Sequence, residues 1–164
     1  MKYLDAFFDE SKKYLILSSV VILSVNLTIY QSVLSAGFWS DDYHVIAPAA
    51  RLTWWDFLIY YVDPRVQWIW YRPIQGIQVG MLYALFGNAP SGYHVAQLLL
   101  HCANSLLLLE LVTHISRKWR IGLVAALIYG TWPILSLAVY WPTVADPLLA
   151  FFCLLALRFW ICYL

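Results

Sequence analysis

Long apolar stretches, separated by short polar or charged segments, dominate this chain. One runs from residue 14 to residue 36, and three more in the second half cover residues 92–116, 121–144 and 146–164. A helix needs about 20 apolar residues to cross the hydrocarbon core of a membrane, so each stretch is close to the required length. The pattern predicts an all-α membrane protein with about four transmembrane helices.

The segment 37–72, after the first predicted span, is rich in Trp and Tyr as well as acids and prolines. Such rings prefer the boundary between headgroups and hydrocarbon, so we expect an external loop that lies on the membrane and holds short interfacial helices. Its aromatic residues are Trp39, Tyr43, Trp54, Trp55, Tyr60, Tyr61, Trp68, Trp70 and Tyr71.

Three short helices are predicted around this loop. One starts near Asp41 and is expected to break near Pro48, because proline interrupts a helix. Thr53 is a suitable N-cap for the second, which should run to about Val62. The third lies within residues 73–88, where the apolar run is too short to cross a core about 30 Å thick. We therefore expect an interfacial or partly inserted helix there.

The composition favours a membrane protein over a soluble one. Hydrophobic residues make up 63% of the chain and charged residues 12%, and the mean hydropathy is +0.70. A soluble domain would expose much of that apolar surface to water. The first stretch is long for a signal peptide and favours an uncleaved anchor. A net charge of +1 without a basic face predicts no nucleic-acid partner.

Basic residues predict the orientation, because Lys and Arg near the ends of spans stay on the cytoplasmic side. Four spans give a cytoplasmic N-terminus at 1–13 and a cytoplasmic basic turn at 117–120. Pro133 is expected to kink the third span, and Asp146-Pro147 to open the fourth. The cytoplasmic basic residues would be Lys2, Lys12, Lys13, Arg117, Lys118 and Arg120.

This topology places three carboxylates on the non-cytoplasmic face. Asp41 and Asp42 follow the first span directly, and Asp146 opens the last one. Carboxylates in such a group act as a general base, position an acceptor or bind a divalent cation. A plainer interpretation is also open, in which Ser40 or Asp41 caps a short helix and Asp146 starts another.

Five short motifs follow the first span. They are Trp39-Ser40-Asp41-Asp42-Tyr43, Tyr71-Arg72-Pro73-Ile74, Tyr83-Ala84-Leu85-Phe86-Gly87, Gly92-Tyr93-His94 and Val144-Ala145-Asp146-Pro147-Leu148-Leu149. Their order and spacing resemble the amino-terminal part of integral-membrane glycosyltransferases of the GT-C class. That class includes protein O-mannosyltransferases and the aminoarabinose transferases that modify lipid A. The resemblance covers nearly the whole chain from residue 14.

The resemblance implies transfer of a sugar from a polyprenyl-phosphate donor to an acceptor outside the cytoplasm, in a multi-pass protein of the bacterial inner membrane. Asp41 would be the catalytic carboxylate, and Asp42, Asp146 and His44 would position the acceptor or a divalent cation. Members of the class have many more spans, so this chain corresponds to a truncated, amino-terminal module that is not expected to be active alone. The alternative is a non-catalytic, shortened relative that serves as a structural subunit of a larger membrane complex.

The second span carries a stripe of four polar residues on one helical face, at spacings of three, four and three. Polar groups are costly against lipid, so the stripe should face the bundle interior and form hydrogen bonds between helices. The alternative is that one of its two histidines ligates a haem or chlorophyll. The polar stripe comprises His94, Gln97, His101 and Asn104.

Several further residues carry smaller predictions. Arg72 should contact lipid headgroups or the phosphate of a lipid substrate. Glu110 is expected to snorkel or to pair with Arg117, and the Gly-x-x-x-Gly pair of Gly76 and Gly80 suggests close helix contact. The thiols of Cys102, Cys153 and Cys162 are expected to be inert.

Overall fold

The computed structural model describes residues 2–66 and 71–163, and within these ranges the chain is helical with no strand. The side chains of residues 2–12, 135, 136 and 162 lie outside this description. The predictions for Trp68 and Trp70 therefore lie outside the described residues, and those for Lys2, Lys12 and Cys162 concern side chains that are not described.

The helices agree closely in position with the apolar stretches of the sequence. In chain order they are α1 (Lys2–Tyr30), a short 3-10 helix (Gln31–Ser35), α2 (Asp42–Arg51), α3 (Trp54–Val62), α4 (Pro73–Phe86), α5 (Pro90–Ser116), α6 (Trp119–Thr131), α7 (Pro133–Tyr140) and α8 (Asp146–Tyr163).

The longer helices α1, α5, α6 and α8 form a bundle, which α7 completes. Tyr14 of α1 stacks on Trp119 at the start of α6, with 4.8 Å between ring centroids. Near the other end of both helices, the Tyr30 hydroxyl donates to the carbonyl of Gly130 over 2.9 Å. Helices α1 and α6 therefore begin at the same end of the bundle and run in the same direction.

Helix α5 runs in the opposite direction between them. Its Cys102 packs beside Tyr30 near the end of α1, whereas its Leu109 packs beside Ile22, further back along α1. The direction thus reverses from α1 to α5 and again from α5 to α6, as it does in a chain that crosses the same layer repeatedly.

An ion pair and a hydrogen bond tie α8 to α5 so that the two helices run the same way. Asn104 donates to the Pro147 carbonyl over 2.8 Å, and further along Arg158 Nη2 lies 2.7 Å from Glu110 Oε1. The predicted partner of Glu110, Arg117, is thus wrong. Arg158 pairs with Glu110 instead, because α8 packs directly against α5. The sequence around Glu110 gives no indication of this packing.

Helices α2, α3 and α4 pack together as a cap over the end of the bundle where α5 begins. Gly76 and Gly80 of α4 lie against the rings of Tyr61 and Phe57 of α3, which confirms the close contact expected of the glycine pair. The core of the cap consists of Ile46, Val79, Leu82 and Tyr93. Helix α4 thus packs at one end of the bundle, alongside the first turns of α5.

Two helical segments, Lys13–Ser35 and Pro90–Ser116, are long and apolar enough to cross a membrane by their length and composition. The predicted third span, 121–144, is not one kinked helix but two helices. Trp132 between them is extended, with φ −66° and ψ 125°. Proline disfavours the α conformation at the preceding residue and has no N–H to donate, so the helix stops fully.

The boundaries of the shorter helices follow local chemistry with one exception. Thr53 caps α3 as predicted, since its hydroxyl accepts from the Asp56 N–H over 3.2 Å. The predicted break near Pro48 is wrong, because α2 continues to Arg51. Proline removes only one backbone hydrogen bond there, and the burial of Ile46 in the cap holds the helix together.

Gly76→Ala is expected to destabilise the protein by about 1–3 kcal/mol through overpacking. A methyl group at this position would collide with the ring of Tyr61, whose hydroxyl is tied to the Val45 carbonyl over 3.0 Å. Gly37→Ala is the control, since nothing lies within 4 Å of the methyl group it would add. Denaturant titration in bicelles measures both free energies of unfolding, and equal losses would contradict the tight α3–α4 contact.

Candidate functional site

An open cleft of about 510 Å³ lies where the cap meets the bundle. Its walls come from the starts of α2 and α4, the end of α3, and the connection between α7 and α8. Four residues predicted from the sequence line it: Asp41, His44, Arg72 and Asp146. The fold therefore brings together residues that are up to about a hundred positions apart in the chain, as the predicted topology requires.

Asp41 holds the N-cap position of α2, but its side chain makes no capping hydrogen bond. The preceding Ser40 has a positive φ of 32° and donates its hydroxyl to Asp41 Oδ1 over 3.2 Å. The plainer interpretation, in which the carboxylate caps the helix, therefore does not describe this geometry. The Asp41 carboxylate is exposed in the cleft instead.

Asp42 has a different environment from its neighbour. It is fully buried, and its Oδ2 accepts from the Trp39 N–H over 2.7 Å. Its Oδ1 accepts from the Thr143 hydroxyl over 2.6 Å. The carboxylate thus joins the start of α2 to the α7–α8 connection. Asp42 lies behind the cleft wall, which differs from its predicted contact with an acceptor or a metal.

Asp146 and Arg72 stand on different walls of the cleft. Asp146 is the first residue of α8 and is exposed. Arg72 precedes α4 in a non-helical conformation and is also exposed. The lining of the cleft therefore contains a guanidinium as well as two exposed carboxylates.

Aromatic side chains complete the walls. Tyr60 and Trp141 line the cleft, and Tyr61 lies between the cleft and the core of the cap. Burial, and to a lesser degree the neighbouring Tyr60, raises the pKa of Tyr61 to about 12. At neutral pH Tyr61 is thus an uncharged donor to the Val45 carbonyl, and the charge of the cleft comes from other residues.

An exposed ion pair lies on the cap outside the cleft lining. Arg65 binds the carboxylate of Asp63 through its side chain and its backbone N–H, and these hydrogen bonds lower the Asp63 pKa to about 2. Arg65 does not line the cleft, whereas Arg72 does.

The polar stripe on α5 is buried and reaches backbone carbonyls of other segments, as predicted for hydrogen bonding inside the bundle. The side-chain nitrogen atoms of the stripe donate hydrogen bonds to backbone carbonyls that lie near the ends of helices. The bonds are His94 Nε2 to Gly37 O (3.3 Å), Gln97 Nε2 to Pro142 O and Val144 O (3.0 Å each), His101 Nε2 to Gly130 O (3.1 Å) and Asn104 Nδ2 to Pro147 O (2.8 Å). This geometry favours the structural interpretation of the two histidines over the pigment or haem alternative.

The described residues contain no group of three or more His, Cys, Asp or Glu side chains placed to hold a metal ion. Comparison with models of protein families, with curated proteins and with solved structures gives no match to this chain.

Seven residues of the cleft lining were not predicted as site residues from the sequence: Val45, Tyr60, Tyr61, Gln75, Trp141, Thr143 and Val144. Gln75 carried a usable signal, because it is a polar residue inside an apolar run, one turn after Arg72. Thr143 and Trp141 carried none, since their place depends on how α7 ends against α5.

Asp42→Ala is expected to cost about 1–3 kcal/mol of folding free energy, because it leaves the Trp39 N–H and the buried Thr143 hydroxyl without their acceptor. Asp41→Ala is the matched control and should change stability by no more than about 0.5 kcal/mol, since the side chain is exposed and caps nothing. Denaturant titration of both variants in bicelles gives the comparison. Equal losses would mean that the two acids are structurally equivalent.

Proposed function

We propose that the cleft is a glycosyl-transfer site, which accepts a sugar from a polyprenyl-phosphate donor and passes it to an acceptor on the non-cytoplasmic side of a membrane. The observation that supports this most is the meeting of Asp41, Arg72 and Asp146 in one open cleft. An anion-binding cation and an exposed carboxylate in the same cavity suit a reaction whose leaving group is a phosphate.

The chemistry needs few groups from the protein. An acceptor hydroxyl attacks the anomeric carbon of the sugar, the bond from that carbon to the phosphate oxygen breaks, and polyprenyl phosphate leaves as an anion. Asp41 accepts the hydroxyl proton as general base. Arg72 stabilises the negative charge that grows on the departing phosphate, through charge-assisted hydrogen bonds.

The other cleft residues provide positioning. His44 is one turn after Asp41 on α2, so both side chains lie on the same face and can contact one acceptor. Asp146 faces them from α8 and orients acceptor hydroxyls by accepting hydrogen bonds. The flat rings of Tyr60 and Trp141 offer apolar surface for the sugar.

The distribution of aromatic and basic residues supports a membrane location with four spans. The cap exposes large rings at one end of the bundle: Trp39, Tyr43, Trp54, Trp55 and Tyr71. The basic residues Lys13, Arg117, Lys118 and Arg120 lie at the opposite end, where Tyr14 stacks on Trp119. This distribution of rings and basic residues supports a non-cytoplasmic position for the cleft, within reach of a lipid-borne donor.

Arg72→Gln is expected to weaken binding of polyprenyl phosphate by roughly 10- to 100-fold, since a hydrogen bond to a charged group contributes about 1.5–3 kcal/mol. The measurement is equilibrium binding of labelled polyprenyl phosphate to the protein in nanodiscs, with polyprenol as the phosphate-free reference. Arg65→Gln is the control and should bind normally, because Arg65 pairs with Asp63 outside the cleft. Equal weakening in both variants would mean that only the overall charge matters.

Asp41→Asn is expected to lower sugar transfer by about 10²- to 10⁴-fold, the usual contribution of a general base. The assay follows release of polyprenyl phosphate from polyprenyl-phosphate mannose and polyprenyl-phosphate aminoarabinose, in membranes that contain the whole gene product. Asp56→Asn is the control, an exposed acid of the cap that does not line the cleft.

Undiminished turnover in Asp41→Asn would overturn the assignment of the base. No transfer with the unaltered protein, together with a stoichiometric membrane partner recovered in mild detergent, would favour the alternative of a non-catalytic structural subunit.

A further inference from the structure

The connection between α7 and α8, residues 141–145, forms one wall of the cleft and delivers Asp146 to it. It is not helical, and Pro142 and Thr143 are buried. Backbone carbonyls that leave a helix inside an apolar environment must find another donor, since each one left unsatisfied costs several kcal/mol. The donors to these carbonyls therefore determine the position of this wall of the cleft.

Two glutamines satisfy three consecutive carbonyls of this connection. Gln97 of α5 donates through Nε2 to the carbonyls of Pro142 and Val144, over 3.0 Å each. Gln75 of α4 donates to the carbonyl of Thr143 between them. One glutamine belongs to the bundle and the other to the cap, so the connection is held from two sides.

A third contact adds the start of α2 to the same connection. The Thr143 hydroxyl donates to Asp42 Oδ1 over 2.6 Å, and Asp42 follows Asp41 directly in the chain. The three anchoring side chains are all buried, with exposed fractions of 0% for Asp42, 1% for Gln97 and 7% for Gln75. Asp42 and Gln97 lie outside the cleft lining and therefore do not contact a substrate themselves, whereas Gln75 also lines the cleft.

We propose that Gln97, together with Gln75 and Asp42, is a positioning residue that sets the separation between Asp41 on one wall and Asp146 on the other. The proposal rests on the proposed function for its chemical meaning, because the two carboxylates must reach the same acceptor. Its structural claim is that the α7–α8 connection becomes less fixed when Gln97 loses its amide. This claim can be tested without measuring the reaction.

The different environments of Asp41 and Asp42 then have a physical explanation. One carboxylate of the adjacent pair is exposed and faces the cleft, while the other is buried and anchors the opposite wall. Loss of the hydrogen bond from Thr143 to Asp42 would let the exposed acid and Asp146 move relative to each other, because that bond joins the two walls.

The test uses electron-spin distance measurement in nanodiscs on the whole gene product. Spin labels are attached at Tyr43→Cys on α2 and at Asp146→Cys, in a background carrying Cys102→Ala, Cys153→Ala and Cys162→Ala. Gln97→Leu removes both carbonyl contacts and should broaden the distance distribution between the labels. His101→Leu is the matched control, because it removes a buried stripe hydrogen bond to Gly130 that does not touch the connection.

The functional arm measures sugar transfer by the unlabelled variants. Gln97→Leu should lower kcat by roughly 100-fold with little change in the donor KM, as expected when reacting groups are displaced by about 1 Å. Thr143→Val provides a second, milder variant that breaks only the contact with Asp42, and Thr143→Ser should restore both the narrow distribution and the rate, since its hydroxyl replaces the lost one.

A distance distribution that stays narrow in both Gln97→Leu and Thr143→Val overturns the proposal, as does equal broadening in His101→Leu. A broadened distribution in a protein that shows no transfer in its unaltered form supports the positioning by Gln97 and counts against the proposed function alone.

Discussion

The structure depends on satisfying backbone carbonyls that broken helices leave inside an apolar bundle. An unbroken helix bonds every interior carbonyl to its own N–H groups, but this chain interrupts its third apolar stretch at Trp132 and again after Tyr140. A carbonyl without a partner costs several kcal/mol in hydrocarbon. Helix α5 supplies the donors, since its amide and imidazole nitrogens reach carbonyls on four other segments.

This single constraint explains why the stripe on α5 contains histidine and amide side chains. Each provides an N–H that reaches further than a hydroxyl does. Gly130 shows how tightly the arrangement is filled: its carbonyl accepts from both Tyr30 and His101, while a methyl group at that position would meet Asn26. The irregular backbone near the cleft is thereby held in place.

The cleft follows from the same break. Because α7 ends at Tyr140 and α8 starts at Asp146, the chain turns at the level of the cap, and Gln75 and Asp42 can bind the turn from the cap side. Asp146 enters the cleft through this arrangement, opposite the exposed Asp41. The two neighbouring acids therefore have different environments, since Asp41 is exposed and Asp42 is buried. Their adjacency in the sequence does not suggest this difference.

Local signals in the sequence determined a great deal. Apolar length placed the main helices, Thr53 and Asp146 marked helix starts, proline marked the interruption near residue 133, and the spacing of His94, Gln97, His101 and Asn104 placed them on one inward face. These features depend on neighbours within a turn or two.

Only the tertiary structure decided that Glu110 pairs with Arg158, that the buried Asp42 accepts from Thr143, and that Gln75 and Gln97 hold the wall of the cleft. Those contacts join residues between 45 and 101 positions apart, and their free energy comes from burial that no local pattern contains.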